Sequence, residues 1–195
     1  MIKMYNPVIV FEGIDGVGKT TQANKLKNKI IENGRNAIIL HFPSEGIIGK
    51  NIVSLLKEDK FDNLNIKARA LLTASDFFQE MEKYINFNGV IIFDRYIHSS
   101  FASNESEIIT NEWIKLIHLD APNPDLVFFL KCNPKIIFER KNIDFGAKNI
   151  KRQLKMNEAY ERVFKKNEGF EIDASQDEEA VFQKIWKIFN EKIKL

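Results

Sequence analysis

Val8-Ile9-Val10-Phe11-Glu12-Gly13-Ile14-Asp15-Gly16-Val17-Gly18-Lys19-Thr20-Thr21 is the stretch on which the reading of this chain turns. It opens as a four-residue apolar run stopped by Glu12, short enough for a buried strand and far short of the ~20 residues of a membrane span. It continues as G-x-x-x-x-G-K-[ST], whose glycines let backbone N–H groups close on phosphate oxygens. A helix follows from about Gly18 to Asn33, ended by Gly34, and its N-terminus adds a favourable dipole for an anion. Gly13, Gly16, Val17, Gly18, Lys19, Thr20 and Thr21 are therefore candidate phosphate-binding residues. In such a loop Lys19 reaches the β- and γ-phosphates of a nucleoside triphosphate and the Thr20 hydroxyl ligates Mg²⁺.

Working outward, short apolar runs alternate with helical periodicity. Ala37 to Leu40, Val90 to Phe93, Asp125 to Leu130 and Gly169 to Asp173 read as four further strands. Between them come a short helix near Ile48 to Leu56 and a long one from Ile66 to Tyr84. A helix carries Trp113 and Ile117, another opens at Pro134, and a closing amphipathic helix runs from Asp177 to Ile193. Strands this apolar, separated by helices, predict a parallel sheet covered on both faces, an α/β fold in three layers. Ligands of such sheets sit at the C-terminal strand ends. Asp94, at the end of its strand, places a carboxylate beside the magnesium. No N-K-x-D sequence is present to read guanine, which disfavours a GTP switch.

Composition narrows the class. The chain has 195 residues, enough for one domain with a core that needs no disulfide or structural metal. Lys plus Arg number 29 and Asp plus Glu 27, a net charge of +2, so no general case exists for a nucleic-acid or membrane partner. One cysteine, Cys132, excludes an intramolecular disulfide and a cysteine-based zinc site, and reads as a half-buried strand thiol. His41, His98 and His118 lack metal-ligand spacing. The segment before Pro7 is too short and polar for a signal sequence, so a reducing, cytoplasmic location is the expectation.

The run Phe11 to Gln22, with Asp94-Arg95-Tyr96, Ser99-Ser100, Phe42-Pro43, Pro124 to Leu130, Arg140 and Ile172-Asp173-Ala174-Ser175, resembles the thymidylate kinase family in order and spacing. The resemblance covers nearly the whole chain. It implies a P-loop kinase fold with a five-stranded parallel sheet, helices on both faces and a short lid near residues 141–152, usually in a homodimer. The implied reaction moves the γ-phosphoryl of ATP, with Mg²⁺, onto thymidine monophosphate. By the same resemblance Asp15 lies near the acceptor sugar and the metal, and Arg95 bridges the donor and acceptor phosphates. Thr20 and Asp94 hold the metal, Phe42 and Pro43 shape the acceptor pocket with Ser99 and Ser100 close by, and Ala174 and Ser175 border adenine. Arg140 lies on the ATP side, among the catalytic candidates with Lys19, Arg95 and Asp15.

Departures from the family pattern fall mostly on the acceptor side. Ser44-Glu45 stands where an arginine usually follows the proline. Thr73 and Phe77 occupy the positions of a base-stacking aromatic and a base-bonding arginine, and Ser103-Asn104 replaces an aromatic–glutamine pair. The P-loop carries no arginine, having Gly16-Val17, and the lid carries no D-R pair, Asp144-Phe145 being the nearest match. Lys141, Lys148, Lys151 and Arg152 are basic candidates for that role, although such a run equally suits a solvated helix face. Arg69 shares a helix face with Thr73 and Asp76 and is a candidate for acceptor-phosphate charge. On sequence alone, transfer to another pyrimidine monophosphate and an ATP-binding module without transferase activity both stay open.

Overall fold

The computed structural model describes residues 6–84, 87–103, 109–141, 146–165 and 169–193, with the side chains of 141 and 146–149 left aside. Five strands, β1 (Val8–Glu12), β2 (Ala37–His41), β3 (Val90–Asp94), β4 (Leu126–Lys131) and β5 (Phe170–Asp173), form one parallel sheet in the order β2-β3-β1-β4-β5. β1 and β3 are buried along their whole length, which is why they read as continuous apolar runs rather than alternating ones. Successive residues still face opposite layers. Ile9, Phe11 and Ile92 join one core with Leu26, Ile30, Ile185 and Phe189, while Val8, Val10, Ile91 and Phe93 join another with Phe77 and Met81.

The helices are α1 (Lys19–Glu32), α2 (Ile47–Lys57), α3 (Ile66–Glu82), α4 (Ile97–Ser103), α5 (Asn111–Ile117), α6 (Pro134–Lys141), α7 (Gly146–Phe164) and α8 (Glu178–Lys192). α1 and α8 cover one face of the sheet and α3 covers the other. Caps fix several starts: Asp177 accepts from Glu179 N and Ala180 N, and Asn65 accepts from Lys67 N. β4 begins at Leu126 rather than Asp125, whose N–H donates to Val8 O at 2.8 Å while its carboxylate accepts from Val8 N at 2.7 Å, capping the start of β1.

Register decides where chemistry can gather. Phe11 pairs with Asp94 and Phe128, and His41 pairs with Asp94, so β1, β2 and β3 end level. Their last residues, Glu12, His41 and Asp94, with the loops that follow, form one rim. Two helices on this rim escape a sequence reading. α4 is seven residues long and half polar, and α7 occupies the basic run. Among the described residues no helix is long and apolar enough to cross a membrane. Cys132 is free and buried just past β4, deeper than a half-buried strand thiol.

Candidate active site

The phosphate loop leaves β1 at Gly13, which has φ 141°; a Cβ there would lie 2.5 Å from the Leu130 carbonyl oxygen of β4. Only glycine fits so close to a neighbouring backbone. The loop ends at Gly18, a left-handed N-cap with φ 108° and no side-chain hydrogen bond, so the first-turn N–H groups of α1 keep no side-chain partner at the cap. Lys19 folds back across the loop, its Nζ donating to Gly13 O and Ile14 O at 2.9 Å each. Desolvation, then the nearby Arg95 charge, pulls the Lys19 ammonium down to about 7 against the opposing Asp15, Asp94 and Glu12. Val17 is buried and offers the loop its backbone, while Thr20 and Thr21 are exposed on the first turn of α1.

Thr20 Oγ1 donates to Asp94 Oδ2, and His41 Nδ1 lies 3.3 Å from the same oxygen. Burial alone would raise Asp94, but hydrogen bonds from His41 and Thr20 and the charge of Lys19 hold it below the usual carboxylate value. Its other oxygen, Oδ1, is buried with no hydrogen-bond partner. Mg²⁺ takes one or two protein oxygens and completes its shell with water and phosphate, so Thr20 and Asp94 are a donor set that fits it. Among the described residues no group of three or more His, Cys, Asp or Glu gathers as a metal cluster.

Arg95 follows Asp94 with a left-handed backbone, φ 78°, fixed by its own N–H donating to Phe11 O at 3.0 Å. One terminal nitrogen donates to Asp15 Oδ1. The other donates to the Tyr160 hydroxyl at 3.1 Å and reaches the Ser99 hydroxyl at 3.5 Å. Desolvation opposes the Arg95 charge, but the surrounding carboxylates Asp15, Glu12 and Asp94 favour it. Asp15 receives a second hydrogen bond, from Gln153 Nε2 of α7 at 3.2 Å. Its desolvation is outweighed by Arg95, Lys19 and Gln153, which hold it below the usual carboxylate range.

Behind Arg95 lies Glu12, with no exposed surface. Its Oε1 accepts from Tyr96 N at 2.8 Å and Ser99 N at 3.0 Å, and its Oε2 accepts from Ser99 Oγ at 2.7 Å and the Tyr160 hydroxyl at 3.1 Å. Burial pushes the Tyr160 phenol well up, so it stays protonated and able to donate. His98 stacks on Phe164 and is likewise lowered by burial, with Glu12 opposing; its role here is packing.

The two flanks differ. On the α6–β5 side Arg140 donates to the carbonyls of Ala174 (2.8 Å), Ser175 and Gln176 (3.3 Å), so its guanidinium pins the loop after β5. Asp173 accepts from Ser175 N and Gln176 Nε2 in the same turn, and the Ser175 side chain, then those two donors, hold it down to about 2. On the α3 side Phe77 is 5% exposed and packs on Phe42, Phe93 and Tyr96. The Thr73 hydroxyl donates to Ala70 O of its own helix. Pro43 follows a cis peptide, and Ser44 is fastened to the buried Asp76 by its N–H (2.8 Å) and hydroxyl (2.6 Å). Arg69 pairs with Asp62 at 3.0 Å, and Arg152 of α7 reaches the same carboxylate at 3.5 Å.

A family profile described as thymidylate kinase matches residues 11–185, from the end of β1 into α8. The chain belongs to the thymidylate kinase family. A probable thymidylate kinase of Methanosphaera stadtmanae is 33% identical over 191 residues, covering 91% of this chain and 94% of that protein. A thymidylate kinase of Schizosaccharomyces pombe is 32% identical over 188 residues, covering 91% and 89%. A probable thymidylate kinase 1 of Saccharolobus solfataricus is 29% identical over 195 residues, covering 95% and 98%.

Within this thymidylate kinase fold, the structure brings Lys19, Thr20, Asp94, Arg95, Asp15 and Ser99 to one rim. Ala174, Ser175 and Arg140 form a second group beside it. Phe42, Pro43, Thr73 and Phe77 line the α3 side, with Ser100 on α4, while Arg69 faces Asp62. Asn104, Asp144 and Phe145, and the side chains of Lys141 and Lys148, lie outside the described residues. Sequence reasoning overlooked Glu12, which it took only as the end of an apolar run, and also Tyr160, Gln153, His41 and Asp62. An acid closing a fully apolar strand was the one available signal for Glu12; Tyr160 lies 148 positions away from it.

Proposed function

We propose that this protein transfers the γ-phosphoryl group of ATP to thymidine monophosphate, giving the diphosphate and ADP. One observation carries the reading. An arginine, Arg95, is held beside the P-loop by a P-loop carboxylate, Asp15, where a cation serves two phosphates at once. A nucleotide-binding module without an acceptor has no use for such a group.

Phosphoryl transfer needs positioning and charge around the equatorial oxygens more than it needs a strong base. The loop amides and Lys19 seat the donor phosphates, whose charge favours the ammonium form of Lys19. Arg95 spans donor and acceptor phosphates, oriented by Asp15 and Tyr160. Thr20 and Asp94 would hold Mg²⁺, which, when bound, neutralises charge on the β- and γ-phosphates. Arg140 keeps the 174–176 loop, and with it Ala174 and Ser175, in place beside adenine. Phe42, Pro43, Thr73 and Phe77 shape the acceptor side, with Ser99 and Ser100 beside the acceptor phosphate and Arg69 contributing charge from α3. The chain works as a single domain, as its length suits, in a reducing, cytoplasmic compartment, as its lone cysteine suits, with a lid at 141–152 and in a homodimer, as the family resemblance implies.

The test is ADP release from ATP and Mg²⁺ across a panel of nucleoside monophosphates, with water as acceptor control and Lys19→Ala as blank. Turnover on thymidine monophosphate above all others is the expected result. Turnover confined to another monophosphate would move the acceptor, and none above the water control would remove the transferase.

A further inference from the structure

We propose that Glu12 is the positioning residue for Arg95: its buried carboxylate fixes the hydroxyls of Ser99 and Tyr160 as acceptors for the Arg95 guanidinium and ties α4 and α7 to the phosphate loop. The inference rests on the reading of Arg95 as the arginine between the two phosphates.

The hydrogen-bond polarity carries the argument. A carboxylate only accepts, and the four donors around Glu12 use both of its oxygens. The two hydroxyls also lie 2.8 Å from each other, so their single protons go to Oε2 directly or through one another, and neither proton is left to face Arg95. Their lone pairs are what remain for the Arg95 nitrogen that lies 3.1 Å from Tyr160 and 3.5 Å from Ser99. Oε1 meanwhile grips the backbone of Tyr96, the residue after Arg95, and of Ser99, in the first turn of α4. The same carboxylate therefore fixes the peptide beside Arg95 and one side of its head group, while Asp15 fixes the other. Because Tyr160 belongs to α7, the strand that launches the phosphate loop also anchors the helix whose Gln153 touches Asp15. Networks of this kind act as units when every member is satisfied.

Glu12→Gln keeps the volume and inverts the polarity. An amide can accept from the two backbone N–H groups only by turning its NH₂ toward the two hydroxyls. Those hydroxyls must then accept, and since the 2.8 Å contact between them can take up only one of their protons, the other turns toward Arg95, donor against donor. Misplacing a catalytic group by about 1 Å can cost on the order of 10²-fold.

The experiment pairs steady-state kinetics with the NMR signals of the Arg95 guanidinium, assigned by their loss in Arg95→Ala. In Glu12→Gln we expect kcat on thymidine monophosphate to fall about 10- to 100-fold at unchanged KM for ATP. The Arg95 signals should shift while backbone amides away from the rim stay in place. In the Arg95→Ala background the same substitution should cost nothing further in rate. Unmoved Arg95 signals, or an equal loss of rate in both backgrounds, would overturn the proposal and leave Glu12 a packing residue. Should Glu12→Gln fail to fold, the double variant Ser99→Ala, Tyr160→Phe decides. It leaves Glu12 its backbone donors and cuts the link to Arg95, so displaced Arg95 signals support the proposal and unchanged ones refute it. A wild-type protein inactive on thymidine monophosphate would defeat the functional reading alone, since the Arg95 signals still decide this one.

Discussion

On the donor side of the site the contacts are made by main chain: three glycines at positive φ, an uncapped helix start, and a lysine whose ammonium rests on two loop carbonyls. On the α3 side they are made by side chains, and those side chains are engaged with one another. Phe77 is part of an aromatic core, Ser44 is fastened to Asp76, and Arg69 is paired with Asp62. A main-chain cradle tolerates almost any residue between its glycines and fails when one of them changes. A side-chain pocket can be rebuilt with other residues, each of which must find its own partners. The first kind of site announces itself in a sequence, whereas the second does not.

The harshest way to test this contrast is at the point where the two sides meet. Arg95→Ala should lower kcat by 10³-fold or more, on the order seen when an arginine between phosphates is removed, with the fold intact by circular dichroism. A loss of only a few-fold would mean that the α3 side carries its own phosphate cation. Next comes Phe77→Ala. Its ring is buried against Phe42, Phe93 and Tyr96, so the variant should lose about 3–5 kcal/mol in denaturant unfolding. A stability unchanged beside an altered acceptor preference would return Phe77 to base recognition.

Lys19 supplies a pH test of the donor side. Its free-state value of about 7 lies below the ordinary lysine value, so the ammonium is lost as pH rises past 7, while bound phosphate favours it. Binding must then take up a proton, and the dissociation constant for ATP should rise up to about tenfold per unit between about pH 7.5 and pH 9.5. Calorimetry in buffers of different ionisation enthalpy checks the sign, and a flat profile would leave Lys19 charged throughout. The smallest effect belongs to Arg69→Ala. An ion pair this open contributes less than about 1 kcal/mol, and the acceptor KM should move by less than about fivefold. An unchanged acceptor KM would take Arg69 off the acceptor side, and a rise beyond about fivefold would place it directly on the acceptor phosphate.

These differences track what a sequence can display. The strand, glycine loop and first helix were legible because local rules govern them: an apolar run, positive-φ positions, and a helix ended at Gly34. The five parallel strands were legible from the same alternation, but their order in the sheet, β2-β3-β1-β4-β5, was not. α4 was not legible, since seven residues with three serines give no period, and α7 was hidden behind its charges. The Glu12 cluster escaped for a different reason. Its members come from β1, α4 and α7, and only folding makes a terminal acid, a serine and a distant tyrosine neighbours. Arg140 was expected on the ATP side; the three carbonyls that receive it lie 34 to 36 positions away and leave no pattern.

The left-handed backbone at Arg95 has a consequence for how long the folded chain survives heat. A side chain larger than hydrogen at φ 78° is held there against about 1–3 kcal/mol of conformational preference. Glycine would release that strain, although glycine ordinarily loosens a chain by giving the unfolded ensemble more freedom. The usual ranking of the two smallest residues should therefore invert at this position, with Arg95→Gly melting above Arg95→Ala. The molecule runs slightly less heat-resistant than its contacts allow, in exchange for an arginine aimed at the reacting phosphates.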